Sequence, residues 1–423
     1  MSNIKFNELG LAQNIIDQIE KKNFLNPTEI QQKAIPAILN GDQDILAIAS
    51  TGTGKTAAFG LPIIDRIDKN QKSITAIILT PTRELAIQVA GELDSYKSER
   101  NIHIAAIYGG QSITKQNKIL AKGLDIIVGT PGRIIDNIKR GAIKLHDVKY
   151  LVLDEADEML NMGFIEDIEF ILKSSNKDKR IFLFSATLPH RIKNLSKKYM
   201  NDQLFIEVKK KDNQKLLIEQ SYFILKQQEK FDQLKKIADI YDNFYAIIFC
   251  RTKRDVDDLV QKLQNHNYKA EGVHGDFSQN IREKTINKFR GKKIQILVAT
   301  DVAARGIDIE SLNYVINFSL QDDLETYIHR IGRTGRAGKT GKAISFLSFR
   351  EKRRIHQIER MTKSILKKEN FISDKEYKFL KEKKFLQNLE NKILAENFSK
   401  ESEEVAKNLL KKYDSWKVVA SLI

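Results

Sequence analysis

Apolar residues along this chain gather in short β-branched runs separated by longer stretches with helical spacing. In the first half the runs are DILAIA (44–49), SITAIILT (73–80), HIAAIYG (103–109), DIIVGT (125–130), KYLVLDE (149–155) and RIFLFSAT (180–187). They resume as AIIFC (246–250), KAEGVHG (269–275), IQILVAT (294–300), YVINFSL (314–320) and KAISFLS (342–348). Continuous apolar runs, rather than strict alternation, mark strands buried on both faces, and the helix-length spacers predict βαβ units with parallel sheets. Between the two series lies EVKKKDNQK (207–215), a charged stretch suited to a linker. The simplest organisation is two α/β domains, residues 1–208 and 216–360, joined by a linker over 209–215. Pro189 is the last proline and glycine stops before residue 350, so 361–423 reads as a helical tail. Within it Val405, Leu409, Tyr413, Trp416 and Ala420 recur at three- and four-residue steps, the spacing of one apolar helical stripe.

Composition narrows the class. A chain of 423 residues has room for two or three domains with cores of their own, and 41% hydrophobic content argues against wholesale disorder. The single cysteine, Cys250, excludes an internal disulfide framework and suits a reducing cytosol. The amino terminus has no apolar signal-peptide core, and no apolar run approaches the roughly 18 residues that span a bilayer. The expectation is a cytoplasmic protein without a membrane partner. Against 55 acidic residues stand 71 Lys and Arg, a net charge of +16. That excess favours polyanionic partners, nucleic acid first and anionic membrane second. Solvated lysine-rich helix faces would give the same number without any partner.

Two stretches carry candidate chemistry. YLVLDEADEML (150–160) sets Asp154, Glu155, Asp157 and Glu158 directly after a buried run. An acidic helix start favoured by the helix dipole would look like this. So would a carboxylate site for a metal ion at the carboxyl edge of a parallel sheet. ASTGTGKT (49–56) follows a strand and precedes a helix, the context a phosphate-binding loop requires. Its glycines 52 and 54 let backbone amides close round an anion, Lys55 would reach the β and γ phosphates, and the Thr56 hydroxyl would ligate Mg²⁺. Ala49 stands where the general pattern has a glycine. A nucleoside triphosphate needs a metal, and Mg²⁺ takes one or two carboxylates plus retained waters. Asp154 suits that role, and Glu155 could polarise the attacking water. The phosphate loop therefore decides the acidic cluster in favour of a site.

These residues closely resemble the DEAD-box ATP-dependent RNA helicases. The motifs that carry the resemblance are NPTEIQ (26–31), ASTGTGKT, PTRELA (81–86), GG (109–110), TPGR (130–133), DEAD (154–157), SAT (185–187), IIFCRT (247–252), HGDFSQNIRE (274–283), ATDVAARGID (299–308) and YIHRIGRTGRAG (327–338), in order over roughly residues 6 to 350. The family fold is two tandem RecA-like parallel-sheet domains. The resemblance implies ATP and Mg²⁺ as cofactors, with Mg²⁺ held by Thr56 and Asp154 largely through water. It makes Ala49, Ser50, Thr51, Gly52, Thr53, Gly54, Lys55 and Thr56 the phosphate loop. Gln31 becomes the adenine-reading glutamine, and Phe6 and Phe24 the aromatics near the base. Packing is the alternative for Phe6. The glycine that usually precedes Phe24 is Asn23 here. Arg333 and Arg336 would reach the γ phosphate from the second domain, with Lys55, Asp154 and Glu155 completing the catalytic set. Asp308 would meet the ribose or the closed interface. His329 and Asp157 resemble the polar pair that couples the domains, with Ser185 and Thr187 linking the ATP and RNA sites. RNA backbone contacts would come from Arg83, Gly110, Thr130, Arg133, Thr252, Thr300 and Arg305, although some of these threonines could only cap helices.

The tail holds 14 Lys against 10 acidic residues and no Arg, too mild a bias for a strong RNA tail. Its stripe either packs back on the second domain or serves as a homodimer contact, as in the helical dimerisation region of bacterial cold-shock DEAD-box helicases, which it loosely resembles. The implied activity is RNA-stimulated ATP hydrolysis coupled to local unwinding of short RNA duplexes and remodelling of RNA–protein complexes, in ribosome assembly or RNA decay. Two rivals are an RNA clamp that uses ATP only as a lock and a DNA translocase.

Overall fold

The computed structural model describes residues 4–50, 52–67, 73–97, 101–208, 218–304, 312–321, 324–335, 340–395 and 399–422. The first sheet comprises β1 (Ile45–Ile48), β2 (Ala76–Leu79), β3 (Ile104–Ile107), β4 (Ile126–Gly129), β5 (Tyr150–Leu153), β6 (Arg180–Ser185) and β7 (Leu204–Glu207). The second comprises β8 (Ile218–Ile224), β9 (Ala246–Phe249), β10 (Ala270–Val273), β11 (Ile296–Ala299), β12 (Tyr314–Asn317), β13 (Gly341–Leu347) and β14 (Lys367–Lys368). All pairings are parallel. The orders are β3-β4-β2-β5-β6-β1-β7 and β10-β11-β9-β12-β13-β8-β14, so adding seven to each strand of the first gives the second. These are tandem RecA-like domains, as expected.

Helices cover both faces, which is why the strands read as unbroken apolar runs. In the first sheet Ala47, Ile78, Val128, Val152 and Phe184 face one core, while Leu46, Ile77, Ile127, Leu151 and Leu183 face another. In the second, Ile248, Val298, Ile316 and Phe346 oppose Ile247, Leu297 and Val315. All eleven runs form strands, each ending a residue or more before its run does, and β13 begins one residue early at Gly341.

Three strands escaped the pattern. β7 buries only Ile206, and β14 is a two-residue edge with both lysines exposed. β8 carries Gln220 in its middle, buried because its amide donates to Ser364 Oγ at 2.6 Å and accepts from Tyr327 Oη at 2.8 Å. A satisfied polar core residue breaks an apolar run without breaking the strand.

The tail differs most from expectation. Residues 361–373, assigned to it by sequence, supply β14 and the buried side chains of Leu366 and Ile372, so the second domain continues past 360. The helix Asp374–Leu394 then docks on the helix Glu229–Ile240. Lys236 Nζ donates to the Ile372 carbonyl at 2.9 Å and pairs with Asp374 at 2.8 Å. Lys384 Nζ donates to the carbonyls of Asp239, Ile240 and Tyr241, each at 2.9 Å, and so caps a neighbouring helix whose last carbonyls lack partners of their own. The stripe from Val405 to Ala420 is not one helix: Lys400–Lys412 ends at Tyr413, whose backbone is extended, and Ser415–Leu422 begins anew. Nor does it pack back, for Val405 is 59% and Trp416 66% exposed. Among the described residues no helix is long and apolar enough to cross a membrane.

Candidate functional site

At the carboxyl end of β1 the chain turns through Ala49 and Ser50 and enters the helix Lys55–Arg66. Ala49 is buried, its amide donating to the Ser185 carbonyl at 2.9 Å. Thr53 Oγ1 donates to the Ser50 carbonyl at 2.7 Å, closing the loop on itself. Gly52 and Gly54 adopt φ of +77° and +84°, which a side chain would strain. Lys55 is 7% exposed, and its ammonium is a buried side-chain nitrogen without a hydrogen-bond partner. A buried cation left unpaired at the mouth of a glycine loop fits an anionic phosphate, whose charge would offset its desolvation.

Asp154 follows β5 directly, within reach of the Lys55 charge. Burial, opposed by the Lys55 charge and reinforced by Glu155, pushes the Asp154 carboxyl up to about 7. Glu155 follows at φ +51°, a left-handed conformation rare outside glycine and costly without a compensating role. Its amide donates to Asp154 Oδ1 at 3.0 Å. No cluster of three or more His, Cys, Asp or Glu suited to a metal occurs among the described residues. Magnesium does not demand one, since it keeps waters and takes phosphate oxygens alongside one or two carboxylates. Asp154 with the Thr56 hydroxyl is such a donor set.

Gln31 lies against this loop. Its amide oxygen accepts from the Thr28 backbone at 2.8 Å and its NH₂ donates to the Gly54 carbonyl at 3.1 Å. An amide has two donors and two lone pairs. One of each remains, the pair a bidentate adenine contact uses. Phe24 is 38% exposed and free to stack. Asn23, where a glycine was expected, sits at φ +59°, and the Phe24 amide returns to the Ile19 carbonyl at 3.1 Å; asparagine thus keeps the turn. Phe6 is 5% exposed within the first core, so packing is what it does here.

The coupling residues are arranged differently from expectation. Asp157 Oδ2 accepts from the Thr187 amide at 2.9 Å, the Thr187 hydroxyl at 2.8 Å and the Ala186 amide at 3.2 Å. Ser185 Oγ donates to the Thr187 carbonyl at 2.7 Å. That carboxylate is consumed inside the first domain. His329 reaches Glu158 instead, Nε2 to Oε1 at 3.5 Å. Glu158, with Thr326, His329, Arg330 and Arg333 of the second domain, lines a cleft between the two. Arg330 is 2% exposed and held by Asp301 Oδ2 at 2.8 Å, the Asn317 side chain at 3.0 Å and the Ser319 carbonyl at 2.6 Å. It braces the helix Leu324–Ile331, which presents His329 and leads into the turn holding Arg333. Thr51, Arg305, Asp308 and Arg336 lie outside the described residues.

The remaining positions line the carboxyl edges of both sheets. Gly110, at φ +90°, leaves the room that the Arg83 guanidinium fills. Arg133 Nε donates to Gln116 Oε1 at 2.7 Å, and the buried Gln116 in turn donates to the Tyr108 carbonyl. Thr130 starts the helix Pro131–Lys139 without a side-chain cap, leaving its hydroxyl available. Thr252 caps its helix, its hydroxyl accepting from the Asp255 amide at 3.1 Å and donating to the Asp255 carboxylate at 2.8 Å. Thr300 follows β11, its amide donating to the Val273 carbonyl at 3.3 Å. Across the edge Glu84 meets Arg282 at 3.2 Å, and Arg83 donates to Gln279 Oε1 at 3.3 Å. Sequence reading quoted the motifs holding Glu84, Gln279 and Arg282 but singled out only Arg83. A same-strand pattern gives no sign of partners nearly 200 residues apart.

The family model described as DEAD/DEAH box helicase matches residues 28–195, and the helicase conserved C-terminal domain matches 229–338. A DEAD-box ATP-dependent RNA helicase CshA from Geobacillus kaustophilus is 44% identical over 99% of this chain and 89% of its own length. The chain belongs to the DEAD/DEAH box helicase family. Among solved structures, this DEAD-box chain is similar to a DEAD box protein from the hyperthermophile Methanococcus jannaschii, at 53% identity, covering 86% of this chain and 99% of that one with a TM-score of 0.50. Saccharomyces cerevisiae Dbp5 bound to RNA and ADP BeF3 is only 32% identical, yet it matches with a TM-score of 0.79 over 89% and 99% of the chains. Overall shape thus follows the RNA-bound protein more closely than the more identical one.

Proposed function

We propose that this DEAD-box ATP-dependent RNA helicase couples RNA-stimulated ATP hydrolysis to local opening of short RNA duplexes and remodelling of RNA–protein complexes, in ribosome assembly or RNA decay in the cytoplasm. The observation that carries the reading is the buried, unpartnered Lys55 ammonium beside Asp154 and Glu155, in a first domain already in contact with the second. The amides around Gly52 and Gly54 bind phosphate oxygens, and Lys55 pairs with the β and γ phosphates. A magnesium ion held by Thr56 and Asp154, largely through water, would neutralise charge on those oxygens. Glu155 orients the attacking water and takes its proton. Arg333, joined by Arg336, faces the γ phosphate from the second domain and stabilises the charge that develops on it. Hydrolysis then requires closed domains, and closure is what sets Arg83, Gly110, Thr130, Arg133, Thr252, Thr300 and Arg305 along one RNA backbone.

Phosphate release measured with and without RNA, beside strand separation on RNA and DNA duplexes, tests this. RNA should accelerate release, and only duplexes containing RNA should open. Release without opening would favour an ATP-locked clamp, and equal opening of DNA would favour a translocase.

The tail serves as a homodimer contact. Exposed apolar side chains centred on Trp416 suit an interface, and aromatic anchors commonly dominate one. Because residues 361–384 are fastened to the second domain, the cut belongs after the helix that holds them. Deleting 399–423 should halve the solution mass by light scattering and leave RNA-stimulated ATPase intact. A full-length chain that is monomeric at micromolar concentration would sink the dimer.

A further inference from the structure

Residues Phe349–Arg353 leave the carboxyl end of β13 as one turn of 3-10 helix that none of the motifs uses. Ser348 opens the turn, and the Glu351 carboxylate accepts from its amide at 2.8 Å and its hydroxyl at 2.7 Å. The one acid of the segment is thereby turned inward. Side chains three apart eclipse in a 3-10 helix. Phe349 therefore stands over Lys352, and Arg350 over Arg353, as two neighbouring ridges. All four are exposed, Phe349 to 81%. None of the three cations makes an ion pair among the described residues.

The position matters as much as the composition. Lys230, buried below, donates to the Phe318 carbonyl at 2.8 Å and feels the charges of both Glu351 and Asp255. Asp255 closes the cap at Thr252, and Glu351 closes the cap at Ser348. The turn follows the carboxyl end of β13, two strands from β9 in an all-parallel sheet, so it lies on the same carboxyl edge as Thr252, which follows β9. Arg354, next in the chain, donates to the Gln321 carbonyl and fixes the turn beside the Asp301–Arg330 pair.

We propose that Phe349, Arg350, Lys352 and Arg353 form an accessory site for single-stranded RNA that continues the track past Thr252. An exposed aromatic among unpaired cations is the make-up of sequence-tolerant RNA platforms, where the ring stacks on a base and the cations take phosphates. A protein partner that covered Phe349 would have to desolvate three cations at once, which is costly without matching acids. RNA neutralises them. The site rests on the helicase reading above and adds binding outside the cleft, where a strand flanking the duplex would lie.

The test uses the full-length chain, with Phe349→Ala and with Arg350→Gln, Lys352→Gln and Arg353→Gln combined. Affinity is measured by fluorescence anisotropy for oligouridine of about 6 and about 25 nucleotides, the range of a single platform and of a longer track. Both variants should bind the long RNA roughly tenfold more weakly, leave the short RNA unchanged and keep wild-type ATPase at saturating RNA. The triple variant should also flatten the log–log salt dependence by about 2, three phosphates at about 0.7 each. Unchanged affinity for the long RNA in both variants overturns the site. So does an affinity for anionic phosphatidylglycerol vesicles that the triple variant loses while its RNA binding stays intact. A wild-type chain that binds no RNA, or is not stimulated by it, would instead overturn the helicase reading itself.

Discussion

The two sheets share one strand order, yet their corresponding first crossovers do opposite things with a lysine. After β1 the chain makes a glycine loop, and Lys55, first residue of the next helix, is buried with its ammonium unpartnered. After β8 the chain passes through Leu225 to Gln228, and Lys230, second residue of the next helix, is buried against the Phe318 carbonyl. One cation waits for a ligand, while the other is already satisfied by the fold. A shared architecture thus fixes where a site can be, and loop chemistry decides whether there is one.

Substitution should separate the two lysines sharply. Lys55→Ala should lower kcat/KM for ATP by about 10²–10³, the scale for removing one preorganised electrostatic donor, and should leave the melting temperature unchanged or higher. Lys230→Ala should leave the ATP parameters near wild type but lower stability by about 1–3 kcal/mol, because the Phe318 carbonyl loses its donor. Equal effects of the two variants on ATPase would break the comparison. Between them in size lies Gln31→Ala, which should raise KM for ATP roughly tenfold, the value of a lost bidentate contact, and narrow the margin over GTP. Wild-type hydrolysis of GTP at the rate of ATP would count against that role.

The smallest expected effect concerns pH. Asp154, raised by burial to about 7 from its ordinary 3.8, is neutral in the fold but charged in the unfolded chain between those values. The stability it lends is full below its unfolded pKa and fades as pH rises through about 7. With EDTA and no nucleotide, Asp154→Asn should melt near wild type at low pH and progressively above it toward pH 8. A melting difference that does not grow with pH would contradict this account.

Much of the fold was legible in the sequence because buried parallel strands write themselves as apolar runs, and the turn from β1 into the next helix as glycines next to Lys-Thr. What stayed hidden depended on partners far along the chain. Gln220 made β8 unreadable because its satisfaction comes from Ser364 and Tyr327. Asp157 looked like a cross-domain group until Thr187 and Ala186 were seen to occupy it, leaving His329 to Glu158. The tail stripe kept its period on paper across Tyr413 and Asp414, where the backbone extends and one helix becomes two. Exposure, too, has no sequence signature: Phe6 and Phe349 are the same residue in one dimension, one in the core and one in solvent.

The proposed hydrolysis turns on Glu155, held at a positive φ beside the Asp154 carboxylate. Glu155→Gln keeps the shape and removes the proposed base. RNA-stimulated phosphate release by this variant, measured together with RNA binding in the presence of ATP, is the most direct test. Release should fall by about 10²-fold or more while ATP-dependent RNA binding persists or tightens. Near-normal release would contradict the account and return the acidic cluster to the start of an ordinary helix.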